Sequence, residues 1–235
     1  MSETIAAGRR ICLVGASGLV GSAVIEQSIG RGHLRVIGVA RREVPLPKGA
    51  RLEILVGSTA DWPDLIEAAH ADVLVCALGT TRKAAGSDEA FRAVDHDLVL
   101  DTARAARQAG IDRMILVSSV GADPESTNVY LRTKGEVEQA LGQMGFARLD
   151  VLRPGLLRGK RLEDRPLEKA GQVVAPLADM LVFHARLRRF RSIAAVRLAQ
   201  VVLALSADRT PGHFVHEHDS MAEILRNRPV QPCPA

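Results

Sequence analysis

Apolar residues along this chain fall into short unbroken runs, and the stretches between them carry apolar positions at helical spacing. That alternation predicts strands buried on both faces with helices between them. Five such runs come first: Arg10 to Val14, Leu34 to Ala40, Leu52 to Val56, Val73 to Leu78 and Arg113 to Val117. Asp150 to Arg153 predicts a sixth strand. Helices are expected from near Gly18 to about Gly30, from the acidic start Asp61-Trp62-Pro63-Asp64, and from about Asp88 to Gln108, where Gly110 stops the pattern. Ala194 to Ser206 is again helical in period, and His213 to His218 reads as an edge strand. The fold class predicted is α/β, a doubly wound parallel sheet of the Rossmann kind.

The first run opens directly onto Gly15-Ala16-Ser17-Gly18-Leu19-Val20-Gly21. A strand, a tight turn and a helix N-terminus leave backbone N–H groups and the positive end of a helix dipole where a pyrophosphate can sit. Gly15 permits the turn, Gly18 the approach of phosphate, and Gly21 close helix–strand packing. The second strand ends in Arg41-Arg42, with no acid until Glu43. A carboxylate there would suit the ribose 2′-hydroxyl of NAD, whereas guanidinium groups pair with the 2′-phosphate of NADP. The cofactor expected is therefore NADP(H). In open α/β sheets ligand lies at the carboxyl ends of strands, so Leu78, Gly79 and Thr80 after the fourth strand should border it.

Composition narrows the class without changing it. Hydrophobic residues make up 47% and charged residues 25%, as in globular proteins, and aromatics only 3%, so aliphatic side chains must fill the core. The net charge of +4 suits an anionic ligand and gives no footprint for nucleic acid. Cys12 and Cys76 lie in strand-like runs and Cys233 in a Pro-rich tail, with neither disulfide nor metal spacing. A cytoplasmic, non-membrane protein is the expectation.

Tyr130 and Lys134 stand four apart in a helical stretch, hence one turn apart on one face. A phenol titrates near pH 10 unperturbed, and a neighbouring ammonium favours its ionised form. Such a tyrosine can give a proton to a carbonyl oxygen or take one from an alcohol. Ser119, at the end of the fifth strand, offers a hydroxyl to hold the same oxygen. Tyr130 is the only tyrosine in the chain.

With these residues in place the sequence resembles the short-chain dehydrogenase/reductase superfamily, and more narrowly the atypical branch typified by the Tat-interacting-protein oxidoreductases. The resemblance is carried by residues 76–82, 91–100, 118–123, 130–138 and 152–155. It implies NADP(H) binding and a Ser119–Tyr130–Lys134 catalytic set, with Ser118 as the fallback serine and a cofactor contact. It also implies that Pro154, Gly155 and Leu156 lie near the nicotinamide, and that the C-terminal part is a small substrate-capping region. Two positions depart from the pattern. Asp95 stands where the superfamily often has Asn, and the third strand ends in Gly57-Ser58 where an acidic residue often lies beside adenine. Gly57 and Ser58 are kept as cofactor candidates.

The whole chain is expected to be one domain, with a dinucleotide-binding core over about 9–159, substrate-side elements over 160–226, and a disordered tail from 227. Glu163 to Leu181 is expected to be partly helical. The basic run 184–191 reads as a solvated rim or an anion-accepting edge. His213, His216, Glu217 and His218 alternate across a strand and cannot converge on one metal ion. The partner expected is a small-molecule substrate, and helices from about Asp88 and Ser126 offer a homodimer face, as in relatives. Three functions are compatible: an NADPH-dependent carbonyl oxidoreductase, a cofactor-gated regulatory protein, and an epimerase or dehydratase that recycles its nicotinamide.

Overall fold

A computed structural model describes residues 8–50, 52–159 and 189–227. Its strands are β1 (Arg9–Val14), β2 (Leu34–Ala40), β3 (Glu53–Val56), β4 (Val73–Cys76), β5 (Arg113–Val117), β6 (Arg148–Leu152), β7 (Leu157–Arg158), β8 (Ile193–Ala194) and β9 (Gly212–His216). The helices are α1 (Leu19–Ser28), α2 (Trp62–Ala68), α3 (Arg82–Ala85), α4 (Asp88–Arg92), α5 (Leu98–Gln108), α6 (Val129–Gly142), α7 (Ala195–Leu205) and α8 (His218–Asn227), with a π-helical turn at Ala93–Asp97.

Seven strands form one parallel sheet in the order β3-β2-β1-β4-β5-β6-β9. The chain moves outward from β1 to β3, then crosses back to place β4 on the other side of β1. The connections after β1 and β4 therefore diverge and leave a crevice at the carboxyl ends. Alternate residues of the central strands feed two separate cores. Ile11, Leu13, Val73, Val75, Ile115 and Val117 pack with α1 and α7. Cys12, Val14, Leu74, Cys76, Met114 and Leu116 pack with α2, α5 and α6. Burial on both faces is why these strands read as continuous apolar runs rather than alternating ones.

Four details differ from the sequence expectations. The helix expected over Asp88 to Gln108 is interrupted by the π-helical turn, which contains the buried Asp95. Strand β4 ends at Cys76, two residues early, and the chain to Thr81 is irregular, with Ala77 N–H still bonded to the Val14 carbonyl at 2.8 Å. Strand β6 begins at Arg148, whose charge hid it in the sequence but is neutralised by Asp150. The edge strand expected to His218 stops at His216, and His218 opens helix α8, which was not foreseen at all although Met221, Ile224 and Leu225 lie at helical spacing and pack toward the core. The expected helix within Glu163 to Leu181, the start of the basic run and the tail beyond Asn227 lie outside the described residues.

Candidate functional site

The glycine turn closes tightly over the end of β1. Gly15 has φ +91°, and a Cβ on it would stand 2.5 Å from the Ala77 carbonyl oxygen. The Gly18 N–H donates to the Gly15 carbonyl at 3.0 Å, and Gly18 itself is the N-cap of α1, with no side-chain cap. A glycine cap leaves the first N–H groups of this helix, at Leu19 and Val20, without a side-chain acceptor. Ala16 is buried beneath the turn, while Ser17 is exposed above it. Arg41 and Arg42 are exposed at the end of β2, the neighbour of β1. At the end of β3, Gly57 donates to the Ala40 carbonyl at 3.0 Å. The Ser58 N–H and hydroxyl both donate to Asp61 Oδ2, at 2.9 and 2.7 Å. A tight glycine turn, a helix start with no side-chain cap and two exposed guanidinium groups at the end of the neighbouring strand fit a phosphorylated dinucleotide.

On the other side of the crevice, the Leu78-Gly79-Thr80 loop is held by Asp95. The Thr80 N–H donates to Asp95 Oδ2 at 2.7 Å, and Asp95 Oδ1 lies 2.9 Å from Lys134 Nζ. Both side chains are almost wholly buried, at 5% exposure for Lys134 and 1% for Asp95. Burial, the largest single influence on Lys134, works against its charge; Asp95, then Tyr130, and more weakly Cys76 work for it, and the net direction is upward.

Helix α6 delivers Tyr130 and Lys134 to this side. Asn128 caps it, its Oδ1 accepting from the N–H groups of Tyr130 at 2.9 Å and Leu131 at 3.3 Å. That cap fixes the first turn, where Tyr130 is half-buried against the Phe91 ring, with centroids 5.7 Å apart and tilted 37°.

The two strand-end serines have different surroundings. The Ser118 hydroxyl is buried and donates to Glu138 Oε1, and Arg153 clamps the same carboxylate, with Nη2 2.5 Å and Nε 3.0 Å from Oε2. This engagement holds the Arg153 guanidinium above its ordinary pKa, chiefly through the Glu138 hydrogen bonds. Ser119 is half-buried, and its hydroxyl has a long 3.3 Å contact with the Val120 carbonyl. Pro154 accepts from Val120 N–H at 2.9 Å, and Leu156 from Ile193 N–H at 3.0 Å, so the Pro154-Gly155-Leu156 loop joins the serine loop to β8. Glu138 and Arg153 escaped notice as parts of the site, yet Tyr130, Lys134 and Glu138 recur every four residues and so share one helix face.

The histidines lie elsewhere. His216 is buried at the sheet edge between Asp150, 2.8 Å from Nε2, and Ser220, 2.9 Å from Nδ1. Its neighbour Arg148 binds both oxygens of Asp150, at 2.6 and 2.8 Å. His213 is exposed, beside the position of Gly142, and His218 lies 3.2 Å from Asp219. From the basic run, Arg189 stacks over Phe190 at 5.0 Å.

Comparison with known proteins agrees with this geometry. A family model described as NAD(P)H-binding matches residues 15–177. The protein fmp52, mitochondrial, of Emericella nidulans is 37% identical over 172 residues, 70% of this chain and 74% of that one. Its counterpart of the same name in Eremothecium gossypii is 34% identical over 219 residues, 91% and 94% of the two chains. Among solved structures, MoeE5 in complex with UDP-glucose and NAD has a similar fold, with a TM-score of 0.66 and 16% identity over 96% of this chain and 84% of that one. The expectation of a cytoplasmic protein is overturned by these relatives, which are named as mitochondrial. Composition and cysteine placement speak to a reducing environment and carry no organelle address, which is why they misdirected that inference.

Proposed function

The chain belongs to the NAD(P)H-binding family whose model it matches, and from that premise we propose that it is an NADPH-dependent oxidoreductase of the short-chain dehydrogenase/reductase type. Within that superfamily we assign it to the atypical branch of the Tat-interacting-protein oxidoreductases, acting on a carbonyl/alcohol pair in the mitochondrial compartment for which its fungal relatives are named. The observation that carries the reading is the position of Tyr130 one helical turn from a buried, charged Lys134, across the crevice from the tight glycine turn.

The cradle of Gly15 to Val20 would hold the pyrophosphate on backbone N–H groups, and Arg41 with Arg42 the 2′-phosphate. Gly57 and Ser58 would flank the adenine end, and Leu78, Gly79, Thr80 and the Pro154-Gly155-Leu156 loop the other. When bound, the nicotinamide supplies or accepts the hydride. Tyr130 gives its phenolic proton to the carbonyl oxygen in reduction and takes it from the hydroxyl in oxidation. Ser119 donates a hydrogen bond to that oxygen and fixes its direction. Lys134 would hold the ribose beside the nicotinamide, and it keeps a positive charge beside the phenol, which favours its ionised form after proton transfer. One domain performs all of this, and residues 160–226 supply the substrate side.

The test is NADPH oxidation by the purified protein over a panel of carbonyl compounds, with Tyr130→Phe beside it. The variant should bind NADPH as wild type does and lose turnover. Full turnover in Tyr130→Phe overturns the acid/base role, and NADPH binding without turnover on any carbonyl would instead mark a cofactor-gated regulatory protein.

A further inference from the structure

We propose that Asp95 is a positioning residue of this site: its buried carboxylate keeps Lys134 charged and fastens that charge to the Thr80 end of the loop after β4.

An ammonium nearly removed from solvent loses its proton unless an anion faces it. Three titratable groups face Lys134 from the elements packed around it: Asp95 from the π-helical turn, Tyr130 from its own helix, and Cys76 from β4. Burial pushes the Cys76 thiol up to about 11, so it is neutral at ordinary pH. Of the three, Asp95 favours the ammonium most strongly. Asp95 is thus the group that supplies negative charge to Lys134, at 2.9 Å.

The two oxygens of that carboxylate are divided between two tasks. Oδ1 meets Lys134 and Oδ2 accepts the Thr80 N–H at 2.7 Å. A Cβ at Gly79 would lie 3.6 Å from Oδ1 and 4.0 Å from Lys134 Nζ, so the loop passes directly over the pair. An amide at position 95 has no charge, and its NH2 would put a donor against either the Thr80 N–H or the Lys134 ammonium, each of which now meets a carboxylate oxygen. Asp95 is brought inward within a π-helical turn, a rare conformation that recurs at functional sites.

The consequence for the bound dinucleotide rests on the proposed function; the charge state of Lys134 does not. The first measurement therefore uses the ligand-free protein, by following the lysine Nζ resonances of isotopically labelled material with pH, the Lys134 signal being identified by its loss in Lys134→Met. In wild type, Lys134 should stay protonated to higher pH than the exposed Lys48 and Lys83. In Asp95→Asn it should lose its proton at least about 2 pH units lower than in wild type, and Asp95→Glu should restore most of the difference. If wild-type Lys134 titrates at or below the surface lysines, the proposal fails even should Asp95→Asn not fold. Equal titration in wild type and Asp95→Asn defeats it as well. The second measurement is NADPH affinity against pH. Asp95→Asn should lose affinity as pH rises through the lowered Lys134 titration, while wild type stays level. A shifted Lys134 with level NADPH affinity in both proteins would uphold the pair and count against the cofactor role of Lys134.

Discussion

The carbonyl oxygen of Gly15 occupies the place where a side chain on Gly21 would begin, an ideal Cβ there standing 2.2 Å from it. The neighbour is backbone and cannot turn aside as a side-chain tip can. Gly21→Ala must therefore push α1 away from the turn, and overpacking of this kind costs about 1–3 kcal/mol. The same displacement would move the helix N-terminus from the pyrophosphate it is proposed to hold. Calorimetry should record the lower Tm, and titration with NADPH a loss of at least about tenfold in affinity. Wild-type affinity in Gly21→Ala would show that the turn does not set the cofactor site.

The proposed preference for NADPH puts the 2′-phosphate on Arg41 and Arg42. A charge-assisted hydrogen bond to phosphate contributes about 1.5–3 kcal/mol, which corresponds to about 10- to 100-fold in affinity. The double variant Arg41→Ala/Arg42→Ala should weaken NADPH by that factor and leave NADH nearly unchanged. Parallel titrations check this directly, and an equal loss for both would place the arginines away from the 2′-phosphate.

The adjacent serines should behave in opposite ways. Ser119→Ala removes a hydroxyl with a single long contact, so stability should hold while kcat/KM falls about 100-fold, as for loss of one oxyanion donor. Ser118→Ala takes a buried donor from Glu138, already shared with Arg153. It should cost about 1–3 kcal/mol in urea unfolding and leave turnover per folded molecule close to wild type. The reverse pattern would exchange their roles.

The contrast between those serines also shows where sequence ran out. Neighbouring serines at a strand end are equivalent until the partner of each is known, and Ser118 finds its partner twenty residues on, at Glu138 of α6. The sheet was legible because its strands are buried on both faces, and the glycine turn because backbone crowding at Gly15 and Gly21 tolerates no other residue type. Asp95 was visible only as a departure from Asn; that it neutralises Lys134 depends on a π-helical turn, for which apolar spacing carries no signal. The start of β6 at Arg148 was likewise out of reach, since only its pairing with Asp150 two residues away shows how a guanidinium comes to be buried in a strand.

That pairing predicts a large effect far from the crevice. Asp150 accepts from Arg148 and lies 2.8 Å from His216, all at the β6–β9 edge. Asp150→Ala takes the bidentate partner from a buried guanidinium, leaving it the Thr210 carbonyl at 2.7 Å and Asp208 at 3.3 Å, and should cost about 3 kcal/mol. The double change Arg148→Met/Asp150→Ala removes that charge as well and should recover part of the loss, a coupling that a double-mutant cycle in urea measures. Additive losses would show that the two do not act as a pair.

The buried thiols give the protein an alkaline weakness. Burial, with a smaller contribution from Cys76, pushes the Cys12 thiol from 9.0 to about 12. Burial likewise raises Cys76 from 9.0 to about 11, against the Leu78 N–H and Lys134, which favour the thiolate. A folded-state pKa above the unfolded one means that stability is fully present below pH 9.0 and is lost as pH climbs through the folded values. Unfolding midpoints in urea should therefore be level up to about pH 9 and fall between there and about 12. Lys134, also raised, adds to the fall in the alkaline range. Cys12→Ala and Cys76→Ala should be less stable at neutral pH, from the cavities left, and each should show a flatter alkaline limb than wild type. An alkaline limb of wild-type steepness in both variants would assign the loss to other groups. Below pH 9 neither thiol should react with a disulfide reagent until the sheet opens, because the thiolate is the nucleophile and the fold suppresses it.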